Sequence, residues 1–599
     1  MSHKALITLQ EGPTLAALFR QRVARTPDAI AYIQYDDKDE QWHDYSWAET
    51  AREVTRWQKA LGTLNLETGE RIVIMCHNSR EWVVCDQATL GLGLVLVPVF
   101  MNDRAESITW ICNDCSASVL IIEGQEQWDT LEGSTDELES VQTIISIHQL
   151  NTRHPKLKSL QEWLPADIDK PDLAESETSP TELATIVYTS GTTGRPKGVM
   201  LSHHNIVWNI HAALQLFDIG PDNTFLSFLP LSHTFERTVG YYLSMVCGAT
   251  TAYNRSIPQL AEDLAIIKPT LLVSVPRIFE RIYGRVTEKL VTESTIKQKL
   301  FSAAIDIGWK KFEYDQGRGK WSPGFILHPL LDKLVGAKVR ERLGGRLWFT
   351  VCGGAALSPE VARMFIGLGI PVTQGYGLTE TSPVIAANPL ENNIPASVGL
   401  PLPGVEIQIS DNGELLTRSP SIMLGYWNRP EATADMIDTE GWLHTGDKAL
   451  IEDDHIFITG RLKEIIVLST GEKIPPADME NTITLDPLIE QVMIIGEGKP
   501  YLSALVVPNP EQFEQLCQAS GLEPGDESNY SNEVIQEQVL QRIRNQLSSF
   551  PGYAEIHKVA ILNEPMTPEN GLLTPTLKLR RNRILIYYSD EVTNLYAGH

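Results

Sequence analysis

Short aliphatic and β-branched runs recur along the first 450 positions, separated by longer stretches with helical spacing. The runs RIVIMC (71–76), VLVPVF (95–100), SVLII (118–122), ATIVYTS (184–190), TLLVSVP (270–276) and LWFTVCG (347–353) predict buried strands. Apolar side chains on both faces of a strand need cover on both sides. Behind Ser202, a good N-cap, Ile206, Ile210 and Leu214 repeat every fourth residue and predict a helix with one buried face. Strand–helix alternation of this kind predicts an α/β fold, with a large multi-sheet N-terminal domain of parallel sheets covered by helices.

Two segments break the alternation. Residues 123–182 are polar, acidic and poorly patterned, and are expected to be surface excursions. Residues 277–345 predict a helical insert with Ile278, Ile282, Val286 and Leu290 on one stripe, followed by the basic, aromatic stretch WKKFEYDQGRGKW (309–321). The plain expectation is an amphipathic helical pair packed on the domain. The sharper one is a membrane-facing surface through which an apolar substrate enters. A boundary is expected near residue 460, after a hairpin at 449–460. Beyond it, VMIIG (492–496), LSALVVP (502–508) and their helices suffice for a small mobile α+β domain. The expected division is therefore 1–460 and 461–599.

The longest apolar run, ATLGLGLVLVPVFM (88–101), has 14 residues and contains Pro98. A membrane-spanning helix needs about 20, so a buried helix end and strand is expected instead. No basic stretch followed by an apolar core opens the chain. A cytoplasmic protein is expected, with peripheral contact at the inner face of a membrane left open.

Composition narrows the function. At 42 % apolar and 21 % charged residues, the chain is globular. Its net charge of −26 excludes the dense cationic field that nucleic acid requires. The same charge looks hostile to small polyanions too. Seven cysteines at 76, 85, 112, 115, 247, 352 and 517 do not make a disulfide framework. The Cys112-Asn-Asp-Cys115 pair is read as buried and structural rather than redox or zinc-binding.

The strongest chemical signal is YTSGTTGRPKGVM, Tyr188 to Met200. Gly191, Gly194 and Gly198 allow close backbone approach. Thr189, Ser190, Thr192 and Thr193 supply hydroxyls, and Lys197 supplies a cation. Such a loop suits phosphate oxygens. It is not a Walker A loop, because Arg195 follows Gly194, and no usable G-x-G-x-x-G occurs elsewhere.

Here the chain resembles the adenylate-forming, AMP-binding superfamily, which includes acyl-CoA synthetases, the adenylation domains of peptide synthetases and beetle luciferases. The resemblance covers nearly the whole chain and rests on six ordered motifs. They are YTSGTTGRPKG (188–198), LPLSHTFER (229–237), QGYGLTE (374–380), GWLHTGD (441–447), GRLKEII (460–466) and GLLTPTLKLRR (571–581). The last motif and the 277–345 insert look most like long-chain fatty acyl-CoA synthetases.

The resemblance implies an ATP site formed by the 189–194 loop and Lys197 with Gly354, Gln374, Gly375, Tyr376, Gly377, Thr379, Asp447, Arg461, Lys463 and Lys578. It gives the face of Tyr376 to adenine, although core packing is the ordinary reading of such a residue. It places Thr379 at the α-phosphate, and Mg²⁺ on Thr189 and Glu380. Asp447 would take the ribose hydroxyls, its ordinary alternative being a turn or cap. Arg461, fourteen residues later across the hairpin, would be a second ribose or phosphate contact. Lys463 corresponds to the hinge of the C-terminal domain, and Lys578 to the catalytic lysine. His233 would lie near the acyl carboxylate and the CoA thiol, or be a satisfied structural histidine. Arg580, Arg581 and Arg583 are either a solvated basic face or a dock for the phosphates of CoA.

Departures from the family pattern bear on substrate. Amino-acid-activating relatives have Asp one residue after the histidine, where this chain has Thr234, with Glu236 close by. Some long-chain relatives carry a Trp gate where this chain has Arg237, which puts a gated tunnel in doubt. Cys352 replaces a common Ser and is read as structural. The reading that results is an AMP-forming fatty acid–CoA ligase, with ATP, Mg²⁺, CoA and a long-chain fatty acid as its small-molecule set. The alternatives are a fatty acyl-AMP ligase that loads a carrier protein, a CoA ligase for a medium-chain or aryl acid, and a non-enzymatic sensor of ATP or acyl-AMP.

Overall fold

The computed structural model describes residues 6–189, 195–462, 464–469, 472–574 and 577–597, the side chains of Ser549 and Tyr553 excepted. Two broad sheets carry most of the first 430 residues. Among the described residues, one has eight strands. It runs from Gly425–Tyr426 through Lys197–Ser202, Leu183–Thr189, Val95–Pro98, Arg71–Met75, Ala117–Ile122 and Thr143–Ser146 to Leu157–Ser159. Its last six strands are parallel, and the two at the Lys197 end are antiparallel. The other sheet is parallel through Thr250–Tyr253, Thr224–Ser227, Leu271–Ser274, Phe349–Cys352 and Val372–Gly377, with antiparallel pairs at both edges. All six apolar runs of the sequence lie on strands of these sheets.

Residues 123–182 correct the expectation of irregular excursions. The helix Gln125–Leu131 buries Trp128, Thr143–Ser146 is a buried strand, and Leu157–Ser159 extends the sheet. A strand of four residues among polar flanks is too short to set up a period.

Helices fill the space between and around the sheets. Arg80–Gly91 is buried from Trp82 to Gly91, so no amphipathic stripe marks it. Its Asp86 is fully buried and pairs with Arg237 at 2.6 Å. Arg237 also donates to the Tyr242 hydroxyl at 3.0 Å and to Thr185 at 2.8 Å. Arg237 is therefore a tie between the π-helical segment Glu236–Tyr242, the buried helix and the strand Leu183–Thr189. It is not a gate. The predicted insert forms the helices Pro276–Val291 and Thr295–Asp315, which pack one side on Phe365 and its neighbours.

An antiparallel four-stranded sheet follows, Glu406–Ile409, Glu414–Arg418, Leu443–Glu452 and His455–Arg461. Beyond it, Ile489–Ile495, Leu502–Pro508 and Ile556–Ile561 make a three-stranded sheet. Its two faces carry cores drawn wholly from residues 466–596.

Candidate functional site

Four segments far apart in sequence converge on one cleft. The hairpin Leu443–Glu452/His455–Arg461 puts Asp447 opposite Arg461, and Arg461 Nε donates to Asp447 Oδ1 at 2.9 Å. The other oxygen of Asp447 accepts from the Tyr376 hydroxyl at 2.6 Å. Asp447 is buried, yet both its oxygens have donors, so the desolvation of its charge is offset. Burial, then the negative charge of Asp447, hold the Tyr376 phenol well above its usual range, so it stays a donor. The two readings of Tyr376 thus meet in one residue: its hydroxyl is tied inward, and this fixes the plane of the ring at the cleft.

Tyr376 lies at the end of the strand Val372–Gly377. A Cβ at Gly377 would lie 1.8 Å from the Pro383 carbonyl oxygen, so glycine is required there for chain packing. Gln374 accepts from the Leu357 N–H at 2.8 Å and donates to the Pro395 carbonyl at 2.5 Å. It thereby braces the loop in which Gly354 makes a left-handed turn (φ +84°). Gly375 pairs with Ala387 across the sheet edge.

Thr379 and Glu380 follow in a short helical turn. Glu380 Oε1 accepts from the Tyr426 hydroxyl at 2.7 Å. The Lys197 ammonium lies 5.0 Å from the centre of the Tyr426 ring, in cation–π range. Lys197 pairs with Thr189 across the two strands that flank the phosphate-type loop. Tyr426 is the residue that sequence reasoning missed. It is 46 positions from Glu380, and only the pairing of Gly425–Tyr426 with Val199 and Met200 brings it in. Asp114, inside the Cys-x-x-Cys segment, accepts from the Tyr188 hydroxyl at 2.7 Å and pairs with Arg429 at 3.0 Å. Cys112 and Cys115 are buried free thiols whose pKa burial raises, Cys115 to about 12, so they act as packing. Cys352 is buried and pushed up in the same way.

In the C-terminal segment, hydrogen bonds hold Thr574 against Lys578 and Leu572 against Arg580. The Thr574 N–H donates to the Lys578 carbonyl at 2.8 Å, the Lys578 N–H to Thr574 Oγ1 at 3.0 Å, and the Arg580 N–H to the Leu572 carbonyl at 2.9 Å. Surrounding protein, then the charge of Arg461, lower the pKa of the Lys578 ammonium, while Asp447, Glu464 and Glu380 draw it back. Lys578 is thus within electrostatic reach of both the Asp447 pair and Glu380. His233 is also near it: burial, then the Lys578 charge, bring the imidazole down to about 4. His233 Nδ1 accepts from the Phe235 N–H at 3.2 Å, so the neutral ring carries its proton on Nε2. Glu236 is buried and pushed up to about 8, so it is protonated at neutral pH and offers no counter-charge to an ammonium.

Of the sequence-predicted residues, Tyr376, Asp447 and Arg461 are linked directly, Lys197 meets Glu380 through Tyr426, and Lys578 acts electrostatically on Asp447, Glu380, Arg461 and His233, while Thr189, Gly354, Gln374, Gly375, Gly377 and Thr379 lie on the segments that carry or brace these groups. Ser190, Gly191, Thr192, Thr193, Gly194 and Lys463 lie outside the described residues. Of the three C-terminal arginines, Arg581 is spent inside its own domain, on Glu480 and on the Ile494 carbonyl.

The arrangement gathers two carboxylates, an orienting tyrosine at each, and three cations in one cleft, a charge pattern suited to a charged nucleotide. Comparison with known proteins agrees. Residues 19–427 match the AMP-binding enzyme family, and residues 463–599 match the AMP-binding enzyme C-terminal domain. A long-chain-fatty-acid–CoA ligase of Mycobacterium bovis is 31 % identical over 100 % of this chain and 99 % of its own length. A chloroplastic long-chain-fatty-acid–[acyl-carrier-protein] ligase of Arabidopsis thaliana is 27 % identical over 100 % of this chain and 88 % of its own. The adenylation domain of a carboxylate reductase from Mycobacterium chelonae superposes with a TM-score of 0.75 at 23 % identity, covering 99 % of this chain and 94 % of that one, which speaks to the fold. Matched along both parts by one family, and at full length by a relative of the same kind, the chain belongs to the AMP-binding enzymes.

Proposed function

We propose that the enzyme is an AMP-forming long-chain fatty acid–CoA ligase, with residues 1–460 as the body and 461–599 as a lid that pivots at Lys463. The observation that carries the reading is the convergence of Lys578 with Asp447, Arg461, Glu380 and His233 in one cleft. The names of the full-length relatives supply the acid and the acceptor.

In the first half-reaction, one oxygen of the fatty acid carboxylate attacks the α-phosphorus of ATP. The bond from that phosphorus to the bridging oxygen breaks, and its electron pair leaves on pyrophosphate. Two anions must approach, so positioning and charge stabilisation dominate the barrier. Lys578 bridges carboxylate and α-phosphate, Asp447 holds the ribose hydroxyls, and Tyr376 offers its face to adenine. Glu380 keeps one carboxylate oxygen outside its bond to Tyr426, and Thr189 has a hydroxyl at the strand end. These all-oxygen donors fit magnesium, which when bound would offset phosphate charge. In the second half-reaction the lid turns and Lys578 leaves; the CoA thiol gives its proton to solvent, its sulfur attacks the acyl carbonyl near neutral His233, and the bond from the carbonyl carbon to the phosphate oxygen breaks, its electron pair leaving on AMP.

Contact with a lipid surface belongs to the same proposal. Among the described residues no helix is long and apolar enough to cross a membrane. The insert nevertheless exposes Trp321 (59 %), Ile326 (75 %) and Leu330 (58 %) beside Lys320 and Lys333. Removing 309–321 should lower liposome binding, and unchanged binding would refute that contact.

The test of function is pyrophosphate release across carboxylates of about two to twenty carbons, with and without CoA. Release that is greatest with long chains, together with acyl-CoA formation, supports the ligase. Acyl-AMP that passes only to a carrier protein would replace CoA as acceptor. No release with any acid would leave a sensor.

A further inference from the structure

Where the C-terminal turn meets the large domain, three guanidiniums gather. Arg104 ends the loop after the strand Val95–Pro98 and caps the helix Ala105–Asp114. It donates to the Glu569 carbonyl, across to the C-terminal segment. Arg580 and Arg583 arrive from that segment. Gly571 sits between them, left-handed at φ +76°; a Cβ there would lie 3.0 Å from a terminal nitrogen of Arg104 and equally from one of Arg583. A side chain at this position would block their approach.

The cluster has little counter-charge. Among the described residues, no ion pair is recorded for any of the three, and the buried Nε of Arg580 has no hydrogen-bond partner. Burial, then Arg583 and Arg104, lower the Arg580 pKa, while Asp103 draws it back. In a chain of net charge −26, like charges held together without an ion pair among the described residues make a place for an anion.

Position says which anion. The helix that begins after Arg104 carries Trp110, whose ring meets Tyr188 edge-on at 5.7 Å and lies 5.8 Å under the Arg195 guanidinium. Tyr188 and Arg195 flank the phosphate-type loop. The helix that Arg104 begins therefore packs against the flanks of the phosphate-type loop. Arg580 also shares the turn that carries Lys578 into the cleft, so the trio is complete only while Lys578 is in place. An acceptor that enters after the lid has turned would meet the trio already separated.

We propose that Arg104, Arg580 and Arg583 form an anion site, split between body and lid, that holds the terminal phosphates of ATP and the pyrophosphate they become. The site ties lid closure to the presence of the phosphate tail. Loss of pyrophosphate returns the three cations to mutual repulsion and favours the turn of the lid. This inference rests on the adenylating reading above.

The test uses the full-length enzyme with magnesium, and titration calorimetry of pyrophosphate and of AMP separately. Arg104→Gln combined with Arg583→Gln should weaken pyrophosphate binding about tenfold or more. AMP affinity and the KM for CoA should stay as in the wild type. Arg583→Gln alone, at an exposed position, should give the same binding signature at smaller size without loss of thermal stability, because repulsion is removed while the Arg104–Glu569 contact stays. Unchanged pyrophosphate affinity overturns the site. A raised KM for CoA with unchanged pyrophosphate affinity assigns the arginines to CoA and also overturns it. If the wild type binds neither AMP nor pyrophosphate, the adenylating reading itself fails instead.

Discussion

The two walls of the cleft differ in how their charges are satisfied. On the body, Asp447 already holds Tyr376 and, at the very start of the lid segment before the hinge, Arg461, and Glu380 already holds Tyr426. These groups are in place before any ligand arrives. On the lid, Lys578, Arg580 and Arg583 arrive on one turn and its neighbouring helix and have no recorded ion pair among the described residues. Preorganised anions on a fixed wall and unsatisfied cations on a separate element suit a site in which the body holds the nucleotide throughout and the lid supplies charge for one step.

Removing a lid cation should have the largest effect. Lys578→Ala should lower fatty-acid-driven ATP–pyrophosphate exchange by about 10²–10³ or more, the scale of one lost transition-state donor. Exchange at the wild-type rate would erase the distinction between the walls. Next in size is a pair far from the reaction. Asp86→Ala leaves the Arg237 charge buried and unpaired, and should cost about 3–5 kcal/mol of stability by denaturant unfolding. A loss much below this would mean that Arg237 finds another partner. Asp447→Asn keeps the shape but removes the charge, and should weaken AMP binding by about 10- to 100-fold, the range for hydrogen bonds to a charged group. Affinity within error of wild type would take the ribose off this wall.

The smallest effect is a pH signature. Glu236 has its pKa raised by burial from 4.5 to about 8. The folded state therefore holds a proton that the unfolded state gives up, and stability falls as pH rises from about 4.5 through 8. His203 and His233, lowered to about 4, act in the opposite sense, and their stability is lost as pH falls from 6.5 toward 4. Between pH 6.5 and 8, Glu236 is the group of these three that changes state. Glu236→Gln should flatten the fall in melting temperature over that interval, and an unchanged slope would assign it to another group.

How much of this was legible depended on distance along the chain. The Asp447–Arg461 contact followed from a recognisable hairpin, since hairpin register is local. The strand cores followed from apolar runs that need cover on both faces. Tyr426 was invisible because a two-residue strand brings it to Glu380, and two residues carry no period. Arg237 put a gated tunnel in doubt from its motif alone, but its structural role stayed hidden, because a motif does not give the buried Asp86 151 positions earlier. Thr143–Ser146 was missed for its shortness. The opening puzzle of a −26 chain with polyanionic ligands resolves in the same way: composition averages over the surface, and folding gathers Lys197, Arg461 and Lys578 around one site.

The most direct test of a fixed wall and a one-step lid compares the two half-reactions of Lys578→Ala in the same preparation. The account predicts that acyl-AMP formation is lost while acyl-CoA formation from supplied acyl-AMP largely survives. Equal loss of both would contradict it.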